Sequence, residues 1–154
     1  MMETLDPKAN TFIVLNPVAG TTDPDDVRYL VATQFAEKGV DYNLYVTTGD
    51  ENLTQIVKSA ATEGYARMLA IGGDGTVSMV AAGLVGGDIP LAIIPAGTGN
   101  VLAQDLRIPL ELRASIDLAL RIPAVKTIDA MKTGDNYYFL NIGTGITSQT
   151  LTTM

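Results

Sequence analysis

The 154-residue sequence contains no cysteine and no histidine. These two absences exclude disulfides, a thiolate nucleophile, a Ser-His-Asp triad and zinc sites built from His or Cys. Any bound metal must therefore be a hard cation held by oxygen ligands, which points to Mg²⁺ or Ca²⁺. If the protein transfers protons, it must use carboxylates, lysine, tyrosine or the substrate itself.

Positive charge is also scarce, with 10 Lys and Arg residues against 17 Asp and Glu residues and a formal net charge of −7. A general nucleic-acid binder needs a basic face that neutralises phosphates, so we expect no nucleic-acid partner. No apolar run reaches the ~18 residues of a membrane-spanning helix, and residues 1–7 lack the basic and apolar parts of a signal peptide. We therefore expect a cytoplasmic protein.

Apolar runs and amphipathic stretches alternate along most of the chain. The apolar runs predict strands at residues 11–15, 41–46, 67–71 and 89–94. Apolar residues at helical spacing predict helices that begin near Pro24, Leu53, Thr76, Val101 and Leu112. Repeated strand–helix units of this kind predict an α/β fold, in which helices flank a parallel sheet and the crossovers are right-handed.

The pattern changes after residue 122. Residues 124–131 and 137–141 are predicted strands of a hairpin, with a turn at Thr133-Gly134-Asp135-Asn136. A lone hairpin is marginally stable in water, so these strands need partners. We predict an α/β domain at residues 1–122 and the start of an antiparallel β domain at residues 123–154. The strands that pair with the hairpin could instead come from a second copy of the chain in a homodimer, or the hairpin could extend the first sheet.

The loops that follow the four predicted strands could carry chemistry, because ligands bind outside the carboxyl ends of parallel strands. These loops lie at residues 16–20, 47–50, 72–76 and 97–100, and three of them are rich in glycine or small hydroxyl residues. Glycines let backbone N–H groups approach an anion, and a following helix N-terminus favours negative charge. The pattern favours a polyphosphate ligand, although no loop contains lysine and the chain has no P-loop motif.

Asp74 is the exception among these loop residues. A carboxylate 4 Å from a phosphate charge is repelled by roughly 4 kcal/mol at an effective dielectric near 20. Its presence is favourable if Mg²⁺ lies between the two groups, or if it accepts hydrogen bonds from a sugar or from loop amides. Simpler roles also stay open, since the glycines could serve only tight turns and Asp74 could be a solvated turn residue or a helix cap.

Three of the loops, taken in chain order, resemble the catalytic domain of the diacylglycerol kinase family. That family includes bacterial lipid kinases and sphingosine kinases and is distantly related to NAD kinases and phosphofructokinases. The matching motifs are Asn16-Pro17-Val18-Ala19-Gly20, Gly72-Gly73-Asp74-Gly75-Thr76 and Pro95-Ala96-Gly97-Thr98-Gly99-Asn100. Residues 125–142 also look like the family's entry into its second domain. The resemblance implies ATP bound between two domains and transfer of its γ-phosphoryl group to the hydroxyl of a lipid such as diacylglycerol or a sphingoid base.

The resemblance also implies which residues line the nucleotide site. They are Asn16, Pro17, Val18, Ala19, Gly20, Thr47, Gly72, Gly73, Asp74, Gly75, Thr76, Thr98 and Asn100. Asp74 would act near Mg²⁺ or the nucleotide. The family's acidic group that activates the acceptor hydroxyl lies in the second domain, beyond Met154, so we name no catalytic base and expect weak or no kinase activity from this chain alone.

The chain departs from the family pattern in three places. Ser78 and Met79 stand where members commonly carry Asn-Glu, Val101 follows Asn100 where many carry an acidic residue, and residues 143–148 lack an aspartate that many relatives have. Two alternatives stay open. One is a kinase for a soluble acceptor such as NAD, since that related family also carries a Gly-Gly-Asp-Gly-Thr loop, and the other is a nucleotide-binding module without catalysis, which Ser78 and Met79 favour. Because acidic chains are repelled by anionic headgroups, we expect any membrane contact to be transient, peripheral and made by the second domain.

Overall fold

The computed structural model describes residues 10–121 and 125–139. In chain order its elements are β1 (Thr11–Leu15), α1 (Pro24–Lys38), β2 (Tyr42–Val46), α2 (Leu53–Ala60), β3 (Arg67–Gly72), α3 (Asp74–Leu84), β4 (Leu91–Pro95), α4 (Val101–Asp105), α5 (Leu112–Leu120), β5 (Met131–Thr133) and β6 (Asn136–Tyr138). The first four strands form one parallel sheet in the order β2-β1-β3-β4. The predicted α/β fold, a parallel sheet flanked by helices, is confirmed.

Helices cover both faces of this sheet, so β1 and β3 are buried on both sides. Phe12 and Val14 of β1 pack with α2, α3 and α4, whereas Ile13 and Leu15 pack with α1 and α5. Alternate residues of a strand point to opposite faces, so a strand that is buried on both sides reads as a continuous apolar run. This explains why the sequence predicted β1 and β3 nearly to the residue.

Local signals set most of the helix ends. Asp23 accepts a hydrogen bond from the Asp25 N–H, and Gly39 ends α1 with a left-handed φ of 63°. Helix α3 begins at Asp74, two residues earlier than predicted, because the Gly73 carbonyl already accepts from the Val77 N–H at 3.0 Å. The glycine motif is therefore partly the first turn of α3 itself, and no residue of connecting loop separates it from the helix.

The predicted hairpin is present, but its strands are shorter than expected. β5 and β6 pair antiparallel across a turn at Gly134 and Asp135, and Gly134 has a φ of 59°. The extension of the first strand over residues 125–130 is wrong: these residues are exposed and form no strand. A short β-like run forms a strand only where a partner strand and a buried face exist. The hairpin lies against α3, with Phe139 packed on the core beneath it.

Several sequence predictions fall outside the described residues. They concern the expected lack of a signal peptide at residues 1–7, the end of the second hairpin strand at residues 140–141 and the segment 143–148. The division into two domains at residue 122 and the homodimer stay predictions. No helix in the described ranges is long and apolar enough to cross a membrane.

Candidate functional site

The loops that follow β1, β3 and β4 meet at the carboxyl edge of the sheet. We call them loop 1 (residues 16–20), loop 3 (residues 72–76) and loop 4 (residues 96–100), and together the loop cluster. The sheet pattern continues into them, since the Asn16 N–H donates to the Ile71 carbonyl and the Ala96 N–H donates to the Gly72 carbonyl, both at 3.0 Å. The structure therefore brings together three of the four loops that the sequence singled out, in one continuous edge.

Asn16 joins loop 1 to the start of α3. Its Nδ2 donates to Thr76 Oγ1 at 3.0 Å, and its Oδ1 accepts from the Val18 N–H at 3.1 Å. One amide side chain thus shapes its own loop and ties that loop to loop 3. The adjacent Val18 side chain is 85% exposed, so loop 1 presents an apolar group and backbone to any ligand at this edge.

Glycine is required where the loops touch. A Cβ on Gly97 would collide with Gly73 Cα, and a Cβ on Gly20, whose φ is +63°, would collide with the Ala96 carbonyl oxygen. A Cβ on Gly72 would lie 2.8 Å from Thr76 Cβ. These contacts leave no room for a side chain, so the glycine-rich motifs are a packing requirement of the loop cluster itself.

Asn100 closes loop 4 on itself. Its backbone is left-handed with a φ of 53°. Its Oδ1 accepts from the Gly97 N–H at 3.0 Å, and its Nδ2 donates to the Gly97 carbonyl at 2.8 Å. Gln104 Nε2 adds a bond to the Gly99 carbonyl at 2.7 Å. Because the Asn100 amide is engaged within the loop, its direct contact with a nucleotide stays a prediction.

Asp74 links loop 3 to helix α4. Its Oδ2 accepts from the Val101 N–H at 3.0 Å, and its Oδ1 accepts from the Leu102 N–H at 3.2 Å. These are the first two residues of α4. The helix-cap role that the sequence left open is therefore the arrangement observed, although the helix that Asp74 caps begins 27 residues further along the chain.

The first turn of α3 offers hydrogen-bond donors that the described residues leave open. No side chain caps this turn in that part of the chain, and the first backbone bond into the helix comes from the Val77 N–H. The N–H groups of Gly75 and Thr76 belong to the orphan donors that every helix start carries. Apart from its chain neighbours and the backbone of its own helix, no atom of the described residues lies within 4 Å of the Cβ position of Gly75. Unpaired amides beside the open space at exposed Gly75, at the positive end of a helix dipole, suit an anion, although Thr76 itself is only 4% exposed.

The loop after β2, at residues 47–51, adjoins loop 1 from the edge of the sheet. The Thr47 N–H donates to the Leu15 carbonyl at 2.9 Å, which places Thr47 beside the start of loop 1. The Glu51 carboxylate accepts from the Thr48 and Gly49 N–H groups, both at 2.8 Å, and from Thr48 Oγ1 at 3.1 Å. These bonds, the Thr48 amide first, lower the pKa of Glu51 from 4.5 to about 2.

Glu51 is not among the site residues that the sequence predicted. The cap of α2 is Asn52, which accepts from the Gln55 N–H at 3.1 Å. The hydroxyl of Tyr45 also donates to Glu51 Oε1 at 3.2 Å. Burial, and then the charge of Glu51, raise the pKa of Tyr45. A carboxylate two or three residues after a Thr-Gly turn was the signal available in the sequence.

Within the described residues, the loop cluster lacks the set of carboxylates that a protein-built Mg²⁺ site needs. Asp74 is its only carboxylate, and both of its oxygens accept backbone hydrogen bonds. The described residues contain no group of three or more acidic side chains that could hold a metal ion. Mg²⁺ usually keeps several waters and binds through one or two carboxylates together with phosphates. Direct contact between Asp74 and Mg²⁺ stays a prediction.

A groove elsewhere on the molecule is separate from the loop cluster. It lies beside α2 and is lined by Phe12, Tyr45, Gln55, Ile56, Ser59, Ala60 and Glu63. None of these residues belongs to loops 1, 3 or 4. The groove has none of the open helix-start amides that mark the sheet edge.

The fold defines an α/β protein whose glycine-rich loops meet at the carboxyl edge of a parallel sheet. Comparison with known proteins makes the class specific. The diacylglycerol kinase catalytic domain matches residues 10–133, and the chain therefore belongs to that family, as the loop motifs indicated.

Curated relatives carry the name "Probable lipid kinase YegS-like". The protein from Yersinia enterocolitica is 34% identical over 143 residues, covering 88% of this chain and 46% of the relative. The protein from Pseudomonas aeruginosa PAO1 is 40% identical over 123 residues, covering 79% of this chain and 39% of the relative. The chain thus spans less than half the length of these relatives.

The solved structures agree with the sequence comparisons. A diacylglycerol kinase from Bacillus anthracis Sterne superposes with a TM-score of 0.75 at 25% identity, covering 84% of this chain and 45% of that one. The neighbour therefore has the same sheet-and-helix fold as the described part of this chain.

Proposed function

We propose that this chain is the ATP-binding part of a lipid kinase, which transfers the γ-phosphoryl group of ATP to a lipid hydroxyl. The observation that carries the proposal is the meeting of loops 1, 3 and 4 around the open first turn of α3. Membership of the diacylglycerol kinase family supports the reaction class. The names, "Probable lipid kinase YegS-like" for the curated relatives and diacylglycerol kinase for the solved structure, support a lipid acceptor.

In this proposal the chain acts by positioning the triphosphate. The N–H groups of Gly75 and Thr76 donate to phosphate oxygens, and Asn16 holds Thr76 and loop 1 in place. Phosphoryl transfer depends mainly on alignment and charge stabilisation, so the nucleotide-binding part of a kinase must hold the triphosphate in a fixed position. We call the backbone of loops 1, 3 and 4 that would do so the phosphate cradle. The four loops contain no Lys or Arg, and we propose Mg²⁺ held by phosphate oxygens as the second cofactor.

The acceptor would reach the γ-phosphate from outside the described residues. Diacylglycerol and sphingoid bases are the proposed acceptors, and their hydroxyls lie at a membrane surface. Because the chain has a net charge of −7, we propose that any membrane contact is peripheral and made by other parts of the protein.

A binding experiment tests the nucleotide half of the proposal. Calorimetric titration of the 154-residue chain with ATP and with AMP, each with and without Mg²⁺, separates phosphate binding from base binding. We expect ATP to bind at least about tenfold more tightly than AMP, because charged hydrogen bonds contribute roughly 1.5–3 kcal/mol each. Equal affinities for ATP and AMP would contradict a site built around phosphates.

An acceptor panel tests the reaction. The polypeptide as the organism produces it is incubated with radiolabelled ATP and with vesicles that carry diacylglycerol, sphingoid bases or neither, and with NAD in solution. Label in a lipid supports the proposal, and label only in NAD would replace it with a soluble-acceptor kinase. ATP binding without transfer to any acceptor would identify a binding module, which is the outcome that Ser78 and Met79 would explain.

A further inference from the structure

Helix α4 has no cap of its own in the described chain. Its N-cap residue, Asn100, makes no capping bond with its side chain, because that side chain is bonded to both backbone groups of Gly97. The helix is only five residues long, so it has little internal hydrogen bonding to fix its start. Its first two amide groups therefore need an acceptor from elsewhere in the fold.

Asp74 supplies that acceptor from the neighbouring loop. Each carboxylate oxygen accepts one of the two amides, Oδ2 from Val101 and Oδ1 from Leu102. Asp74 is itself the first residue of α3, so its charge lies at the positive ends of two helices, where a carboxylate is favoured. Loop 4 passes close above it, since a Cβ on Gly99 would lie 3.1 Å from Asp74 Oδ2.

We propose that Asp74 is a positioning residue whose carboxylate holds loop 4 and the start of α4 against the first turn of α3. This inference rests on the proposed nucleotide site, and it differs from a metal-ligand role for the same residue. The carboxylate fixes where the Thr98 and Gly99 backbone lies relative to the open amides of Gly75 and Thr76. Losing it loosens the phosphate cradle even when no metal is present.

Two substitutions separate these roles, because both remove the charge of Asp74 but they differ in the hydrogen-bond acceptors that they leave. Asp74→Ala removes both acceptors, whereas Asp74→Asn keeps one amide-oxygen acceptor. A metal ligand, or simple repulsion of phosphates, would make the two variants equal in the absence of Mg²⁺. A positioning role makes Asp74→Asn the better of the two.

The matched control is Glu111→Ala. Glu111 caps α5 in the same way, accepting from the Arg113 N–H at 3.1 Å and the Ala114 N–H at 2.8 Å. It lies outside the loop cluster. A general loss of stability after removal of a two-bond cap would appear equally in this variant.

The first measurement is amide hydrogen exchange of the chain without nucleotide. We expect exchange at Val101 and Leu102 to rise about fivefold in Asp74→Ala, the size of effect that loss of a helix cap usually produces, and less in Asp74→Asn. Glu111→Ala should leave these two amides unchanged and accelerate Arg113 and Ala114 instead. Unchanged exchange at Val101 and Leu102 in both Asp74 variants would overturn the proposal, and the Asn variant decides this if the Ala variant does not fold.

The second measurement is ATP affinity in EDTA. We expect Asp74→Asn to bind ATP about fivefold more tightly than Asp74→Ala, and Glu111→Ala to bind like the wild type. Equal affinities of the two Asp74 variants would overturn the positioning role. If the wild-type chain binds no ATP, the proposed function fails, and so does the claim that Asp74 positions a nucleotide site. The exchange rates still test whether Asp74 caps α4.

Discussion

Gly75→Ala should separate the folding role of the loop cluster from its binding role. Outside its own helix and chain neighbours, the added Cβ meets no atom of the described residues within 4 Å, and the position is the second residue of α3. Alanine is favoured over glycine in a helix by up to about 1 kcal/mol, so the free energy of unfolding should rise slightly or stay the same. The open space is where the proposed phosphate lies, so ATP affinity should fall about 10- to 100-fold, equivalent to one lost charged hydrogen bond.

Substitutions at two other glycines serve as comparisons for Gly75→Ala. A Cβ on Gly72 would lie 2.8 Å from Thr76 Cβ, against a favourable carbon–carbon separation of about 3.5–4.0 Å. Gly72→Ala should therefore cost roughly 1–3 kcal/mol of stability and lower ATP affinity as well. A Cβ on Gly87 meets only the Leu84 carbonyl oxygen at 3.4 Å, so Gly87→Ala should change neither quantity.

Urea unfolding gives the stability of each glycine variant, and calorimetric titration gives its ATP affinity. The discriminating pattern is a stable Gly75→Ala variant that binds ATP poorly. A Gly75→Ala variant with wild-type affinity would refute the placement of phosphate at the first turn of α3.

Substitutions at three further positions test other parts of the sheet edge. Ionised Glu51, with its pKa near 2 instead of 4.5, stabilises the fold above about pH 4.5, and this contribution is lost as the pH falls toward 2. The difference in melting temperature between the wild type and Glu51→Gln should therefore shrink over that pH window. A difference that stays constant with pH would contradict this role of Glu51. Val18 is 85% exposed, so Val18→Asp should lower ATP affinity and Val18→Lys should raise it, while the free energy of unfolding changes by no more than about 0.5 kcal/mol. The control Tyr29→Lys, at another exposed site, should raise ATP affinity less than Val18→Lys does. Identical ATP affinities of the two Val18 variants would place the triphosphate away from loop 1. Asn16→Ala removes the bond to Thr76 and should lower ATP affinity about tenfold, and an unchanged titration would show that this bond does not shape the site.

The sequence predicted the sheet well because its central strands are covered on both faces. Residues 11–15 and 67–71 have no polar alternation to confuse with a helix, and each is followed by a turn and an amphipathic stretch. The parallel arrangement then brought the loops to one edge without any knowledge of strand order, since all parallel strands end on the same side. The prediction of a strand over residues 125–130 failed because β-like composition does not show whether a partner strand is there to pair with.

The side-chain roles within the loops could not be predicted in the same way. Asp74 caps a helix 27 residues away, and that contact exists only because β3 and β4 are neighbours in the sheet. Asn100 stays a predicted ligand residue, and the closure of loop 4 by its amide was not visible in the sequence. Local spacing reports on bonds within a turn, whereas these bonds depend on which strands the fold places side by side.

The site at the sheet edge is tested most directly by backbone amide chemical shifts during ATP titration of the ¹⁵N-labelled chain. The largest shifts should fall on the backbone amides of loops 1, 3 and 4, with those of Gly75 and Thr76 foremost, and AMP should reproduce them only weakly. Shifts concentrated around the α2 groove near Tyr45 and Gln55, or no shifts with saturating ATP, would contradict a phosphate site at the carboxyl edge of the sheet.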